Sequence, residues 1–170
     1  MLGFLFRTLT ARPSRGAAMF DAITAEARQP HWYVGGEVPD TIDGRFAVLA
    51  TLTAMALVRL ESAGDDGNAA SVALTERFIE VMESEHRELG LGDPTLGKRV
   101  RKLVGSLSRR VALWRETTDG EREWPEAVQQ SLHSGDPKLG AVSHSVEALQ
   151  TYWYRLRERE LADLMEGKIG

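Results

Sequence analysis

The chain has no cysteine. Disulfides, thiolate nucleophiles and cysteine-ligated zinc or iron–sulfur centres are therefore excluded, and the composition fits a reducing compartment. Proline is scarce, at six in 170 residues, and aromatics make up 7%. There is no large excess of one charge: the formal net charge is -4, so global attraction to nucleic acid or to DNA is not indicated. No apolar run reaches the eighteen or so residues that would span a bilayer as a helix. The longest is FAVLATLTAMALV, Phe46 to Val58, which reads as a helix buried on most sides.

What remains is an ordinary mixture for a folded chain, 42% hydrophobic and 27% charged. Apolar residues recur at helical spacing almost throughout. Met19, Ala22, Ile23 and Ala27 mark a first helix that Pro30 ends, because the residue before a proline is pushed out of helical geometry. The buried helix follows, opened by Asp40 or Thr41 as cap and running to about Ser62. GDDGN, Gly64 to Asn68, reads as a break. Val72, Phe78, Ile79, Met82, His86 and Leu89 then form a stripe that stops at Gly90. Asp93 and Pro94 open a helix with Leu96, Val100, Leu103, Leu107, Val111 and Trp114 on one side. A short helix from Trp124 to about His133 and a long last one carrying Val142, Val146, Leu149, Trp153 and Leu156 complete the pattern. SGDP, Ser134 to Pro137, is read as the start signal of the latter. The expectation is an all-α, single-domain bundle of about six helices, residues 16–170, with a long loop between the first two.

Residues 1–15 differ from the rest. Leu2, Phe4, Leu5, Phe6 and Leu9 are interleaved with and followed by Arg7, Arg12 and Arg15, and no acid occurs before Asp21. The charges follow the apolar run instead of preceding it, unlike a secretory signal. Such a basic amphipathic segment suits an anionic membrane surface or packing against the domain.

Chemistry-bearing motifs are thin. GLGDPTLGK, Gly90 to Lys98, lacks the ending of a phosphate loop and joins helix to helix. Glu83 and His86 have the Glu-x-x-His spacing of helix-bundle di-iron sites, which would require a second such pair and two more carboxylates. His144 and Glu147 stand in reverse order. Ser131, His133, Ser134 and Asp136 read as turn capping, without a nucleophile elbow. None of His31, His86, His133 and His144 sits in a haem-binding motif.

Two stretches carry more. From Pro94 to Arg115 there is no acid, while Lys98, Arg99, Arg101, Lys102, Arg109, Arg110 and Arg115 all lie there. A helix with one apolar and one basic face suits the phosphates of ribosomal RNA or of lipid headgroups. Neutralisation by Glu76, Glu80, Glu83, Glu85 and Glu88 is the other reading. The second stretch is ARQPHWYVGGEVPDTIDGRF, Ala27 to Phe46. Arg28, Tyr33, Asp40, Asp43 and Arg45 suggest a polar network, with Trp32, Tyr33 and Phe46 supplying apolar contact. Long ordered loops are often functional.

These same residues carry a resemblance. ARQPHWY, VPDTIDGRF and the VRL of Val58 to Leu60 resemble the first signature block of the ubiquinol–cytochrome c chaperone family. RELGLGDPTLGKRVRKL, Arg87 to Leu103, resembles its second block, and RERELADLMEGKIG resembles family tails. The likeness extends over roughly 20–114. It implies a non-enzymatic, all-α assembly factor for respiratory complex III, without cofactor. Its partner would be newly made cytochrome b or a similar membrane subunit, with the ribosome and a second assembly factor as further partners. It would lie in the cytoplasm, peripheral to the inner membrane, or on the matrix side in a mitochondrion. The resemblance makes Arg28, Pro30, Tyr33, Pro39, Asp40, Asp43, Gly44, Arg45, Phe46 and Arg59 client-binding or structural positions. Arg87, Glu88, Gly90, Gly92 and Asp93 form the second block, and Lys98, Arg99, Arg101, Lys102, Arg109 and Arg110 a face toward ribosome or membrane. The sequence departs from the family at Leu49-Ala50-Thr51-Leu52, which lacks a histidine. It departs again at Arg109-Arg110, where the family has Gly-Arg.

Overall fold

A computed structural model describes residues 15–170. The N-terminal amphipathic segment, but for Arg15, lies outside the described residues. Among the described residues eight helices occur, in the order α1 (Ala17–Ala27), α2 (His31–Val34), α3 (Ile42–Glu61), α4 (Gly64–Glu88), α5 (Asp93–Thr118), α6 (Trp124–Leu132), α7 (Leu139–Glu158) and α8 (Leu161–Met165). No strand occurs among the described residues. The all-α reading holds, and six of the helices are longer than one or two turns.

Helix α3 is the axis of the fold. It packs against α1, α4, α5, α6 and α7. Its stretch from Ala50 to Val58 is buried without interruption, which explains why that run carries no polar face. At this density of contact, each fully buried leucine or methionine contributes roughly 2 kcal/mol. Tyr152 of α7, itself fully buried, donates its hydroxyl to the Leu52 carbonyl at 3.2 Å and ties the last long helix to this axis.

The helix starts show which local signals acted. Thr41, not Asp40, caps α3: its Oγ1 accepts from Gly44 N at 3.1 Å. GDDGN is not a break. The chain turns at Ser62–Ala63 and residues 64–68 are already the first turn of α4. Asp65 and Asp66 there favour the positive end of the helix dipole. Gly67 has a packing reason, because a Cβ at that point would sit 1.9 Å from the Leu60 carbonyl oxygen. The buried stripe of α4 is Ala70, Leu74, Phe78 and Met82, whereas Val72 faces solvent. Gly90 ends the segment with φ +83°, as its glycine promised. SGDP precedes α7 without capping it; the helix begins two residues after Pro137, with Lys138 as the flanking residue. The long last helix ends at Glu158, and the tail turns back so that Leu164 and Ile169 re-enter the core.

The long interhelical stretch is not all loop. His31–Val34 forms one helical turn. Its side chains bond to carbonyls at the end of α1, of which that of Glu26 also accepts from the Gln29 N–H at 3.1 Å. Trp32 Nε1 donates to the Glu26 carbonyl at 3.0 Å, and the Tyr33 hydroxyl to the Ala27 carbonyl at 2.9 Å.

Candidate functional site

The first signature block folds around one groove. The end of α1 supplies Ala27 and Arg28, α2 supplies Tyr33 and Val34, and the start of α3 supplies Ile42, Asp43, Arg45, Phe46 and Leu49. Met82, Glu85 and His86 of α4 and Arg99 and Leu103 of α5 close the other side. The groove encloses about 620 Å³. Its floor is apolar, and two aliphatic side chains stand on its rim almost fully in solvent: Val34 at 78% and Ile42 at 70% exposure. Exposed branched aliphatics beside a hydrophobic floor favour capture of an apolar segment.

The polar frame is organised by one ion pair. Arg45 Nε lies 2.7 Å from Asp40 Oδ1, with both side chains largely exposed. The hydrogen bond to Arg45 holds the Asp40 carboxyl below its usual range, and Asp40 in turn raises Arg45. The pair is worth little to stability at such exposure. Its effect is to hold two charges at fixed positions on the rim. Tyr33 is raised above its ordinary value by burial, so it remains a neutral donor.

The other sequence-derived residues divide. Pro30 precedes α2 and lines the groove, whereas Pro39 lies outside it. The Pro39 carbonyl presses on Gly44, where a Cβ would stand 1.8 Å from its oxygen. Phe46 forms part of the floor, 6.2 Å from the Phe78 ring. Arg59 is remote. Its Nε and Nη2 donate to the carbonyls of Leu156 and Arg159 at 3.0 and 2.9 Å, so it caps the end of α7. Arg59→Met is expected to cost about 2 kcal/mol, since two charge-assisted bonds are lost while the carbonyls stay shielded. A thermal melt superimposable on that of the wild type would refute the clamp.

Arg87 and Glu88 end α4, Gly90 and Gly92 lie in the turn that follows, and Asp93 opens α5; all are exposed and none lines the groove. Gly92 is the flanking residue of α5, and Asp93 is its first helical residue instead of its cap.

On α5, Lys98, Arg99, Arg101, Lys102 and Arg109 are exposed. Among the described residues none of them lies within ion-pair distance of a carboxylate; the acids of α4 do not neutralise them. Arg115 does pair, with Glu61 at 2.7 Å. Arg110 departs from the expected basic face. It turns inward, donates to Ser106 and to the Ser131 carbonyl (2.8 Å), and lies 5.9 Å over the Phe46 ring. Burial and the neighbouring Arg109 lower its pKa. It braces the underside of the groove floor.

The remaining candidates resolve simply. His86 Nδ1–H donates to the Met82 carbonyl at 2.7 Å within its own helix. His144 meets His31, not Glu83 or His86. Among the described residues no three possible metal ligands gather. Ser131 is buried, its Oγ accepting from Trp114 Nε1 at 3.0 Å, so it is no nucleophile. Val34, Ile42, Leu49 and Leu103 are groove residues that sequence reasoning missed. Each reads as an ordinary apolar position until the helices are assembled.

The matches to known proteins concern the family and the fold. The model of the ubiquinol–cytochrome c chaperone family matches residues 36–169, beginning just after the ARQPHWY block. The crystal structure of the Cbp3 homolog from Brucella abortus superposes with a TM-score of 0.77 at 27% sequence identity. That alignment covers 100% of this chain and 96% of the other. A comparison with curated proteins gave no significant match. The chain belongs to the ubiquinol–cytochrome c chaperone family.

Proposed function

We propose that this protein is a non-enzymatic assembly chaperone of respiratory complex III, and that its groove holds a segment of newly made cytochrome b. The observation that carries the reading is that Arg28, Tyr33, Asp40, Asp43, Arg45 and Phe46, all from one short stretch, meet Met82, His86 and Leu103 of two later helices around one apolar-floored groove. An apolar floor takes the hydrophobic face of a membrane segment, and the charged rim sets its register. The exposed ridge of α5 supplies anchorage to a phosphate-bearing surface, membrane or ribosome, next to the groove through Arg99. No helix among the described residues is long and apolar enough to cross a membrane.

Deletion of the gene is expected to remove the complex III b-type signal from a reduced-minus-oxidised haem spectrum of membranes, and cytochrome b from immunoblots, with its message intact. Complementation by Ile42→Glu, Asp43→Ala or Arg45→Ala is expected to fail or fall severalfold. Their melts should remain within about 0.5 kcal/mol of wild type, because all three side chains are exposed. Normal spectra in the deletion strain would remove cytochrome b as client. Full complementation by all three variants would remove the groove.

A further inference from the structure

One wall of the groove is fastened by a contact that the proposed function does not use. The His31 and His144 rings meet with Nδ1 of the first 3.1 Å from Nε2 of the second. The two residues lie 113 positions apart and join α2 to α7. The site is shaped for this approach. A Cβ on Gly35 would fall 2.8 Å from the His144 ring, and one on Gly36 would fall 2.6 Å from the Trp32 carbonyl oxygen. Neither glycine has a positive φ, so the pair is there for space, not for turn geometry.

We propose that His31 and His144 are positioning residues: their hydrogen bond latches the α2 turn, and with it the Tyr33–Val34 wall of the groove, and protonation of both rings releases it. The tautomers follow from the neighbours. Glu26 Oε1 lies 4.0 Å from His31 Nε2, favouring the proton there and leaving Nδ1 to accept from His144 Nε2–H. A single added proton is shared across the contact. Two cannot be, because both nitrogens then donate and two like charges face each other.

The surrounding charges set the pH window. Glu26 of α1 favours a cationic His31, but Arg155 of α7 holds the other Glu26 oxygen at 3.2 Å and opposes it. Tyr152 is buried beside them and stays neutral. Burial first, and then His144, lower His31 from its ordinary value of 6.5. A His31 lowered in the latched state binds its proton more readily once unlatched. The latch is therefore intact above about pH 6.5 and weakens as pH falls below it.

The test reads the latch and the client separately, because the consequence for capture rests on the groove reading above. Amide hydrogen exchange is followed at Val34, Gly35, Gly36 and Val38. These N–H groups bond to the carbonyls of Pro30, His31, His31 and Trp32. After correction for intrinsic rates, their protection is expected to fall severalfold between about pH 7.5 and 5.5. In the pair His31→Asn with His144→Gln, amides replace Nδ1 and Nε2 without titrating, and protection should stay level with pH. Wild-type protection that does not change with pH overturns the latch, as does an equal fall in the double variant. Capture is read by photo-cross-linking a cytochrome b transmembrane peptide to a benzoylphenylalanine placed at Val34. Cross-linking that falls along the same curve in wild type only supports the full proposal. Exchange that responds while cross-linking is absent at every pH keeps the latch and overturns the groove reading. Exchange that responds while cross-linking is strong and level overturns the control of capture.

Discussion

Gly44→Ala is expected to lower stability by about 3 kcal/mol, although glycine to alanine inside a helix ordinarily gains up to about 1 kcal/mol. The sign is reversed by one contact. A Cβ on Gly44 would stand 1.8 Å from the Pro39 carbonyl oxygen, which is backbone and has no rotamer to yield. Relief requires the Pro39–Thr41 segment to move. That movement also pulls Thr41 Oγ1 from the Gly44 amide, a cap worth about 1 kcal/mol. The same segment carries Asp40, so the Asp40–Arg45 pair on the groove rim shifts with it. For a chain of this length the melting temperature should drop by roughly 6–12 °C, and complementation should fail more severely than with Arg45→Ala. Gly97→Ala is the matched control. It lies in α5 with nothing near its would-be Cβ, and should raise the melting temperature slightly. Equal melting of Gly44→Ala and wild type would show that the cap segment yields freely.

Reversal of Lys98, Arg99, Arg101 and Lys102 to glutamate is expected to weaken binding to phosphatidylglycerol-rich vesicles by about a thousandfold or more. Each cation near an anionic surface contributes about 1 kcal/mol, and the reversal adds repulsion. The folded state should be indifferent, since these side chains are exposed and, among the described residues, unpaired with acids. Wild-type binding should weaken steeply as salt rises, and the variant should show almost no salt dependence. Parallel sedimentation with ribosomes separates the two phosphate sources. Loss on vesicles alone assigns the ridge to lipid, and loss on ribosomes alone to RNA. Undiminished binding to both would remove anchorage by α5. Arg109→Glu should add to the vesicle effect. Arg110→Glu should instead destabilise the fold, because it places a carboxylate among Ser106, the Ser131 carbonyl and the Phe46 ring, where both terminal guanidinium nitrogens now donate.

Much of the fold was legible in the linear order of residues. Helical periodicity, Pro30, Gly90 and Trp124-Pro125 act within a turn or two of their own position, so they mark helices and their limits without knowledge of the rest. The uninterrupted apolar run of α3 likewise announced a helix enclosed by others. GDDGN was misread because the aspartates that suit a turn also suit the first turn of a helix, and only the α3–α4 junction distinguishes the two. The single turn at His31–Val34 was missed for a related reason. It is too short to hold itself and exists because Trp32 and Tyr33 bond to the end of α1.

Only part of the groove lining was legible as residues, and none of it as a surface. Arg109 and Arg110 are adjacent and chemically identical, yet one meets solvent and the other lies over Phe46, because successive helical residues point about 100° apart and the neighbouring helices decide which direction is inward. Arg59 belonged to the same signature as Arg45 and serves the far end of α7. His31 and His144 lie in no common motif, and they meet only because α2 and α7 are packed together. By itself the sequence determined the six longer helices and their order, since those depend on local backbone preferences, and composition alone excluded cysteine chemistry. Tertiary structure alone decided the groove, the latch and the direction of each arginine, because these depend on contacts between residues up to a hundred or more positions apart.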